Sequence, residues 1–280
     1  MTVSNKTMDE ERALYGLRDA VVRDCTFAGP ADGESALKES RNVTVSGCTF
    51  ELRYPLWHSE GFRLADSRMT DTCRAPLWYC KNGTIEGVRC TGVKALRECD
   101  GVKIADSSFI SAEFGWKCRD ISAASTHFES EYIFLDSKNI TLDEITLKGK
   151  YSFQYTENLT IRRSKLDTKD SFWHAKDVLV EDSEVRGEYL GWYSDGLTMK
   201  NCRIIGTQPF CYCKNLRLID CELVDCDLAF EYSDVEAKLR GHVMSVKNPR
   251  SGSITADSIG EIIRGGEVME CRAEVVVRKE

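Results

Sequence analysis

Val43–Thr44–Val45–Ser46–Gly47–Cys48–Thr49–Phe50 and Phe62–Arg63–Leu64–Ala65–Asp66–Ser67–Arg68–Met69 are one pattern written twice, about nineteen residues apart. Apolar residues alternate over a short run, a Gly or Asp interrupts them, and a small residue precedes a second apolar pair. The pattern returns at 102–109, 140–147, 159–166, 178–185, 197–204 and 216–223. A fixed period with two short apolar runs per unit marks a solenoid. Because apolar positions alternate within each run, the elements read as strands, and Val, Ile and Phe at those positions agree.

In the unit that starts at Asn139, Ile140 and Leu142 form one inward pair and Ile145 and Leu147 a second, with Phe134 and its equivalents as a third element. Three short strands with bends between them make one coil of a single-stranded, right-handed parallel β-helix, the hand being the usual one for parallel connections. About eleven coils stacked about 4.8 Å apart would give an all-β rod of roughly 50 Å with capped ends. The bends carry the expected chemistry. Asn42, Gly61, Asn82, Gly101, Asp120, Asn139, Asn158, Asp177, Gly196 and Asn215 precede the first strands, and Asp24, Gly47, Asp66, Gly87, Asp106, Asp182, Asn201 and Asp220 mark a second bend. These residue types tolerate a left-handed backbone or bond to it locally. A leucine-rich horseshoe would need long L-x-x-L-x-L runs and a helical back, and neither is present.

With only five prolines in 280 residues and no low-complexity stretch, the chain reads as a single domain over 1–280. Residues 1–12 are expected to cap one end, and 241–280 to form irregular C-terminal coils and the other cap. Gly29–Pro30–Ala31–Asp32–Gly33–Glu34 reads as a longer loop on an early coil, and Lys247–Asn248–Pro249–Arg250–Ser251–Gly252–Ser253 as a turn. A net charge of −7 argues against a broad nucleic-acid surface. Residues 1–10 contain no apolar run and no segment approaches membrane-span length, so no membrane partner and a cytoplasmic location are expected.

Thirteen cysteines invite a disulfide or metal reading. Their columns decide otherwise. Cys25, Cys48, Cys202 and Cys221 alternate with Ser67, Ser107, Thr126, Ser164 and Ser183, while Cys80, Cys99, Cys118 and Cys213 alternate with Ser40, Ser59, Ser137, Thr156, Ala175 and Ser194. The shared requirement is a small side chain, so stacked free thiols are expected. The cluster Cys202, Cys211, Cys213, Cys221 and Cys226 lacks paired C-x-x-C spacing, and no metal or other cofactor is expected.

The third element of each coil carries the functional interest. All five tryptophans, Trp57, Trp78, Trp116, Trp173 and Trp192, fall in one of its columns together with Arg97, Gln154 and Glu231. The next column holds His58, Tyr79, Tyr155, His174, Tyr193, Tyr212 and Tyr232, with Glu98, Lys117 and Asp136 among them. Strand alternation cannot bury both neighbours of a buried Leu or Phe. One face is therefore expected to carry an aromatic and polar strip, with the Tyr/His column near a bend. Sugar rings stack on aromatic faces while carboxylates and amides take their hydroxyls, and Lys169, Asp170 and Glu188 lie just upstream. A carboxylate pair there would suit general acid–base hydrolysis, or a lysine proton abstraction from an acidic sugar. The strip thus fits the binding or processing of an oligosaccharide. It equally fits a non-enzymatic scaffold in which the aromatics are ladders or are buried between copies in a homo-oligomer. The glycosylation patterns at Asn42, Asn139 and Asn158 belong to the bend column, and no nucleotide or hydrolase motif is present.

The chain also resembles a known family. Gly33–Glu34–Ser35–Ala36–Leu37–Lys38–Glu39, Tyr54–Pro55–Leu56–Trp57–His58, Asp167–Thr168–Lys169–Asp170–Ser171–Phe172–Trp173, Gly187–Glu188–Tyr189–Leu190–Gly191–Trp192 and Leu228–Ala229–Phe230–Glu231–Tyr232–Ser233 are similar to segments of the DUF3737 group of bacterial proteins. That resemblance implies a pectin-lyase-like right-handed β-helix and no particular activity, since one fold hosts many functions.

Overall fold

A computed structural model describes residues 1–29 and 33–278. Pro30, Ala31 and Asp32 of the expected early loop lie outside the described residues. The chain divides into two compact units, Met1–Thr141 and Leu142–Glu280.

In the first unit, Val43 and Val45 point inward and are essentially fully buried, while Thr44 between them and Ser46 after them face outward. Strict alternation of this kind makes one apolar face per strand. Parallel pairing then stacks the inward residues in register as the row Val22, Val45, Leu64, Ile85, Ile104, Ala123. The second strands stack a parallel row of Phe27, Phe50, Met69, Cys90, Phe109 and Phe128. The rings of Phe27 and Phe50 lie 4.8 Å apart and nearly parallel, as register stacking of like residues requires.

The second unit repeats the scheme. Ile161, Val180, Met199, Leu218, Ala237, Ile254 and Val275 form one continuous row. Leu166, Val185, Ile204 and Leu223 form another. The fold is an all-β parallel β-solenoid, as expected. It has about 14 turns, a correction to the expected eleven. At the N-terminal end Thr2–Ser4 pairs with Arg18–Arg23 at the nineteen-residue spacing, so the beat begins earlier than the expected cap. Beyond Asp234–Arg240, Ser251–Ala256 and Glu274–Val277 continue the winding at spacings shorter and then longer than the repeat. No helix among the described residues is long and apolar enough to cross a membrane.

The bends explain the polar columns. Asn42 adopts a left-handed backbone with φ 51, and so does Gly61 on the next coil with φ 65. A Cβ at Gly61 would lie 2.7 Å from Asn42 Oδ1, so the Asn side chain lies where only glycine leaves room. The small Ser/Thr/Cys column sits at the second bend. There the Cys48 N–H donates to Ser67 Oγ (3.1 Å) and Ser67 Oγ donates to the Ala65 carbonyl (2.6 Å). A hydroxyl or thiol thus satisfies buried backbone at most of these turns, with Val88 and Ile145 standing in the column without one. All thirteen cysteines are free and all but Cys271 are buried. Burial pushes the thiols of Cys90 and Cys213 up to about 12. Such thiols are poor nucleophiles and poor metal ligands.

The third side departs from the expected strand. Paired strands there are short in the first unit, Leu77–Trp78 with Leu96–Arg97 and Glu113–Phe114 with Tyr132–Ile133. In the second unit the side is a series of turns with left-handed residues at every other position, Tyr151, Phe153 and Tyr155 (φ 53, 61 and 57) and then Asp170, Phe172 and His174 (φ 51, 61 and 54). Inter-coil bonding persists regardless. Tyr155 N–H donates to the Trp173 carbonyl (2.9 Å) and Phe172 N–H donates back to Ser152 (2.9 Å). The chain corners within a few residues here without leaving buried amides unpaired.

Candidate functional site: an aromatic strip in each unit

The three columns of the third side behave differently. Leu56, Leu77, Leu96, Phe153, Phe172, Phe210 and Phe230 are buried in the core. The tryptophans one position on are half-buried, and most of the Tyr/His column beyond them is exposed at a left-handed bend.

Each indole N–H is committed to the fold. Trp57 donates to the Ala75 carbonyl (2.6 Å), Trp78 to Lys94 (2.7 Å) and Trp116 to Tyr132 (2.9 Å). In the second unit Trp173 donates to Tyr189 (2.7 Å) and Trp192 to Gln208 (2.9 Å). Gln154 makes the same bond through its amide, to Asp170 (3.0 Å), which is why glutamine substitutes for tryptophan in this column. The ring faces are also occupied. Trp57 stacks on Trp78 (5.4 Å, 5°), and the Arg97 guanidinium lies 5.0 Å from Trp78 and 5.4 Å from Trp116. Trp173 stacks on Trp192 (5.6 Å, 9°). Glu231, the last member, takes Lys247 at 2.8 Å.

The outer column is arranged otherwise. In the first unit His58 stacks on Tyr79 (4.7 Å, 15°), and Glu98, Lys117 and Asp136 continue the column as exposed charges. In the second unit the rings are unbroken. Tyr155–His174, His174–Tyr193 and Tyr193–Tyr212 are 5.0, 5.1 and 4.8 Å apart, with planes within 8° of parallel. Because each ring covers its neighbour, interior faces are hidden and only edges reach solvent. The hydroxyls of Tyr155, Tyr193 and Tyr212 and the ring nitrogens of His174 have no hydrogen-bond partner among the described residues. Tyr155 and Tyr193 are 55% and 46% exposed. Burial, with Glu231 nearby, pushes the Tyr212 hydroxyl up from its ordinary value. Tyr232 ends the stack and is buried, its hydroxyl accepting from Val268 N–H at 3.3 Å. No sequence signal marked that distant cover.

The upstream polar residues sit at the start of the same turns. Lys169 and Glu188 are exposed and Asp170 is buried. Burial pushes the Asp170 carboxyl up, with Glu188 adding to the effect and Lys169 and Lys150 opposing it. The side chain thus holds its proton more firmly than an ordinary aspartic acid. Ser171 Oγ beside it is buried with no hydrogen-bond partner. Its counterpart Ser152 bonds Thr168 at 2.8 Å, but Gly187 stands where Ser171 would need that hydroxyl. Among the described residues no group of His, Cys, Asp and Glu is placed to hold a metal ion. The sequence reading passed over one further feature, a set of cations at Arg18, Arg41 and Lys81 beside His58 and Tyr79. Its signal lay in the column just past the buried Ser/Cys residues.

A family model described as DUF3737, a protein of unknown function, matches residues 1–276. The chain belongs to the DUF3737 family. This DUF3737 chain is also similar to solved structures, all at low identity. The A-module of Azotobacter vinelandii mannuronan C-5 epimerase AlgE4 is 11% identical over 94% of this chain and 91% of that chain, with a TM-score of 0.36. A mannuronic-acid-specific polysaccharide family 6 lyase from human gut microbiota is 8% identical over 94% and 83%, with a TM-score of 0.42. PfbA, a surface adhesin of Streptococcus pneumoniae, is 11% identical over 93% and 71%, with a TM-score of 0.34. Likenesses this distant transfer no residue and no activity to the DUF3737 chain. Among curated proteins, none matches it.

Proposed function

We propose that this protein binds a linear, hydroxyl-rich chain, an oligosaccharide, along the Tyr155–His174–Tyr193–Tyr212 edge. The observation that carries the reading is the contrast between the two columns: tryptophan N–H groups are all bonded to backbone, whereas the polar atoms of the Tyr/His stack have no partner. Stacking holds those rings in place, so little side-chain freedom is left to lose on binding. They present one hydrogen-bonding group per coil, a spacing close to that of consecutive sugar units. Recognition is edge-on, by hydrogen bonds, because the ring faces cover one another.

Magnitudes set the expected strength. A net gain of about 1 kcal/mol per bond over four rungs gives roughly 4 kcal/mol, a dissociation constant near millimolar. Affinity therefore rises with oligomer length until four rungs are covered. Acid–base chemistry, where binding leads to cleavage, falls to Asp170, whose raised carboxyl is suited to donating a proton. NMR titration with neutral and uronic-acid oligosaccharides of increasing length tests the proposal. Length-dependent shifts at the tyrosine rings are expected. If no oligosaccharide shifts them and sedimentation shows a dimer that dissociates in Tyr155→Arg, the strip is a self-association surface instead.

A further inference from the structure

The outward column that follows the buried Ser/Cys positions is charged throughout, and in the second unit it alternates in sign: Glu157, Lys176, Asp195, Lys214, Asp234. In the first unit Glu60, Lys81, Asp100 and Arg119 do the same, bridged strand to strand. Two steps break this order: Lys138 follows Arg119, and Arg18 has Arg41 as its register neighbour. Like charges directly opposite each other on paired strands destabilise the sheet unless something lies between them. Two carboxylates line the same cleft and balance the cations in part: Glu60 accepts from Arg41 at 2.6 Å, and Glu39 accepts the Tyr15 hydroxyl at 2.6 Å while keeping its charge, which leaves three cations against two anions. Arg18 and Lys81 make no ion pair with any described residue.

These groups line one cleft of 330 Å³: Arg18, Arg41 and Lys81, the carboxylates of Glu39 and Glu60, the His58–Tyr79 stack and buried Ser59. The Ser59 hydroxyl is committed to the Leu37 carbonyl at 3.2 Å. The cleft therefore carries one net positive charge, with Arg18 and Lys81 outside any ion pair and a phenol and an imidazole beside them. A guanidinium is preorganised for planar or tetrahedral oxyanions, and an ammonium adds a point charge. We propose that this cleft is a binding site for a small organic anion, one carboxylate or phosphate group on a compact polar body of monosaccharide size. The site lies wholly within the first unit and is independent of the Tyr155–Tyr212 strip. The anionic group sits against the adjacent guanidinium pair Arg18 and Arg41, relieving their repulsion, with Lys81 adding charge from beyond Glu60, while Tyr79 and His58 take the polar body.

The test is NMR titration of the full chain, following the His58 ring signals, with glucuronate, glucose 6-phosphate, inorganic phosphate and neutral glucose as probes. Glucuronate or glucose 6-phosphate is expected to shift His58 with a dissociation constant at or below a few millimolar. Neutral glucose leaves the signals unchanged, and added salt weakens binding, as for any site where charge dominates. A response to glucuronate alone identifies a carboxylate ligand, and one to the phosphates alone a phosphate ligand. The double variant Arg18→Gln/Lys81→Gln reduces affinity at least tenfold while its thermal melt stays within a few degrees of the parent. Tyr193→Phe has no effect at this site. Absence of any anion-dependent shift at His58 would falsify the proposal, as would binding that is unchanged in the double variant.

Discussion

The outer strips of the two units use the same positions for opposite ends. In Met1–Thr141 the aromatic stack is one pair long, His58 and Tyr79, and then gives way to Glu98, Lys117 and Asp136, while Arg97 replaces an indole between Trp78 and Trp116. In Leu142–Glu280 the outer stack runs unbroken from Tyr155 through Tyr212, with no Asp, Glu, Lys or Arg in it. The inward columns differ far less: Leu56, Leu77, Leu96 and Phe134 with Gly115 in the first unit, Phe153, Phe172, Phe210 and Phe230 with Gly191 in the second, all buried. The repeat thus constrains what faces the core and leaves the outer column free to vary. A run of three phenols and an imidazole suits a polyhydroxylated chain, and a cluster of cations beside a short stack suits an anion.

The largest effect expected belongs to what the two units share. Phe172→Ala removes a ring stacked 5.3 Å from Phe153 inside the core and should cost about 3–5 kcal/mol in urea unfolding. Leu77→Ala should cost about 2–5 kcal/mol. An exposed outer rung such as Tyr193→Ala should cost well under either. Equal losses at Phe172 and Tyr193 would mean that the outer stack is structural and that the division of roles between columns is wrong.

Next in size is the tryptophan bond. Trp173→Phe and Trp78→Phe keep most of the ring and strand the carbonyls of Tyr189 and Lys94, at a cost of roughly 1–3 kcal/mol each. The two values should agree, because the bond is the same in both units. Arg97→Ala should then cost about 1 kcal/mol in the first unit alone, since the second has no cation between indoles.

The smallest effects are pH-dependent and of opposite sign. Asp170 has a carboxyl raised by burial, so its contribution to stability is full below the ordinary aspartate value near 3.8 and is lost as pH rises through its folded value. Asp170→Asn should therefore raise the melting temperature at pH 7 and leave it unchanged near pH 3. Asp234 is lowered by Arg250, whose Nε donates to it at 2.7 Å, and by Ser251. Its contribution is present above about 3.8 and is lost as pH falls through the folded value. Asp234→Asn should lower the melting temperature at pH 7 and converge with the parent in acid. Melts across pH 3 to 8 would expose a mistaken assignment of either carboxylate.

Much of this was open to reading from residues alone. The alternation in Val43–Thr44–Val45 placed two side chains in the core, and the shared column of Cys48 and Ser67 predicted free, stacked thiols, both of which the coordinates contain. The bend column was legible because Asn and Gly tolerate a left-handed backbone at low cost. The extra coils were not, because pairings such as Asp234 with Ser251 and Ser253 with Glu274 leave the repeat length while keeping the inward Ala237–Ile254–Val275 row. Nor was the division between Trp and Tyr columns. Composition cannot say whether an indole N–H meets a carbonyl on the next coil or a ligand. That depends on left-handed turns at residues such as Phe172, a position where an aromatic rarely adopts them.

The most direct test of the account is the effect of Tyr193→Phe and Tyr212→Phe on oligosaccharide affinity, measured by NMR titration with oligomers from two to six sugars. These variants keep the stack and remove only a hydroxyl. Each should weaken binding about fivefold, the equivalent of roughly 1 kcal/mol, and together about 25-fold, with Tyr79→Phe as an unaffected control. Binding that is length-independent, or that survives loss of both hydroxyls, would contradict the claim that the second unit's outer stack is where the ligand is read.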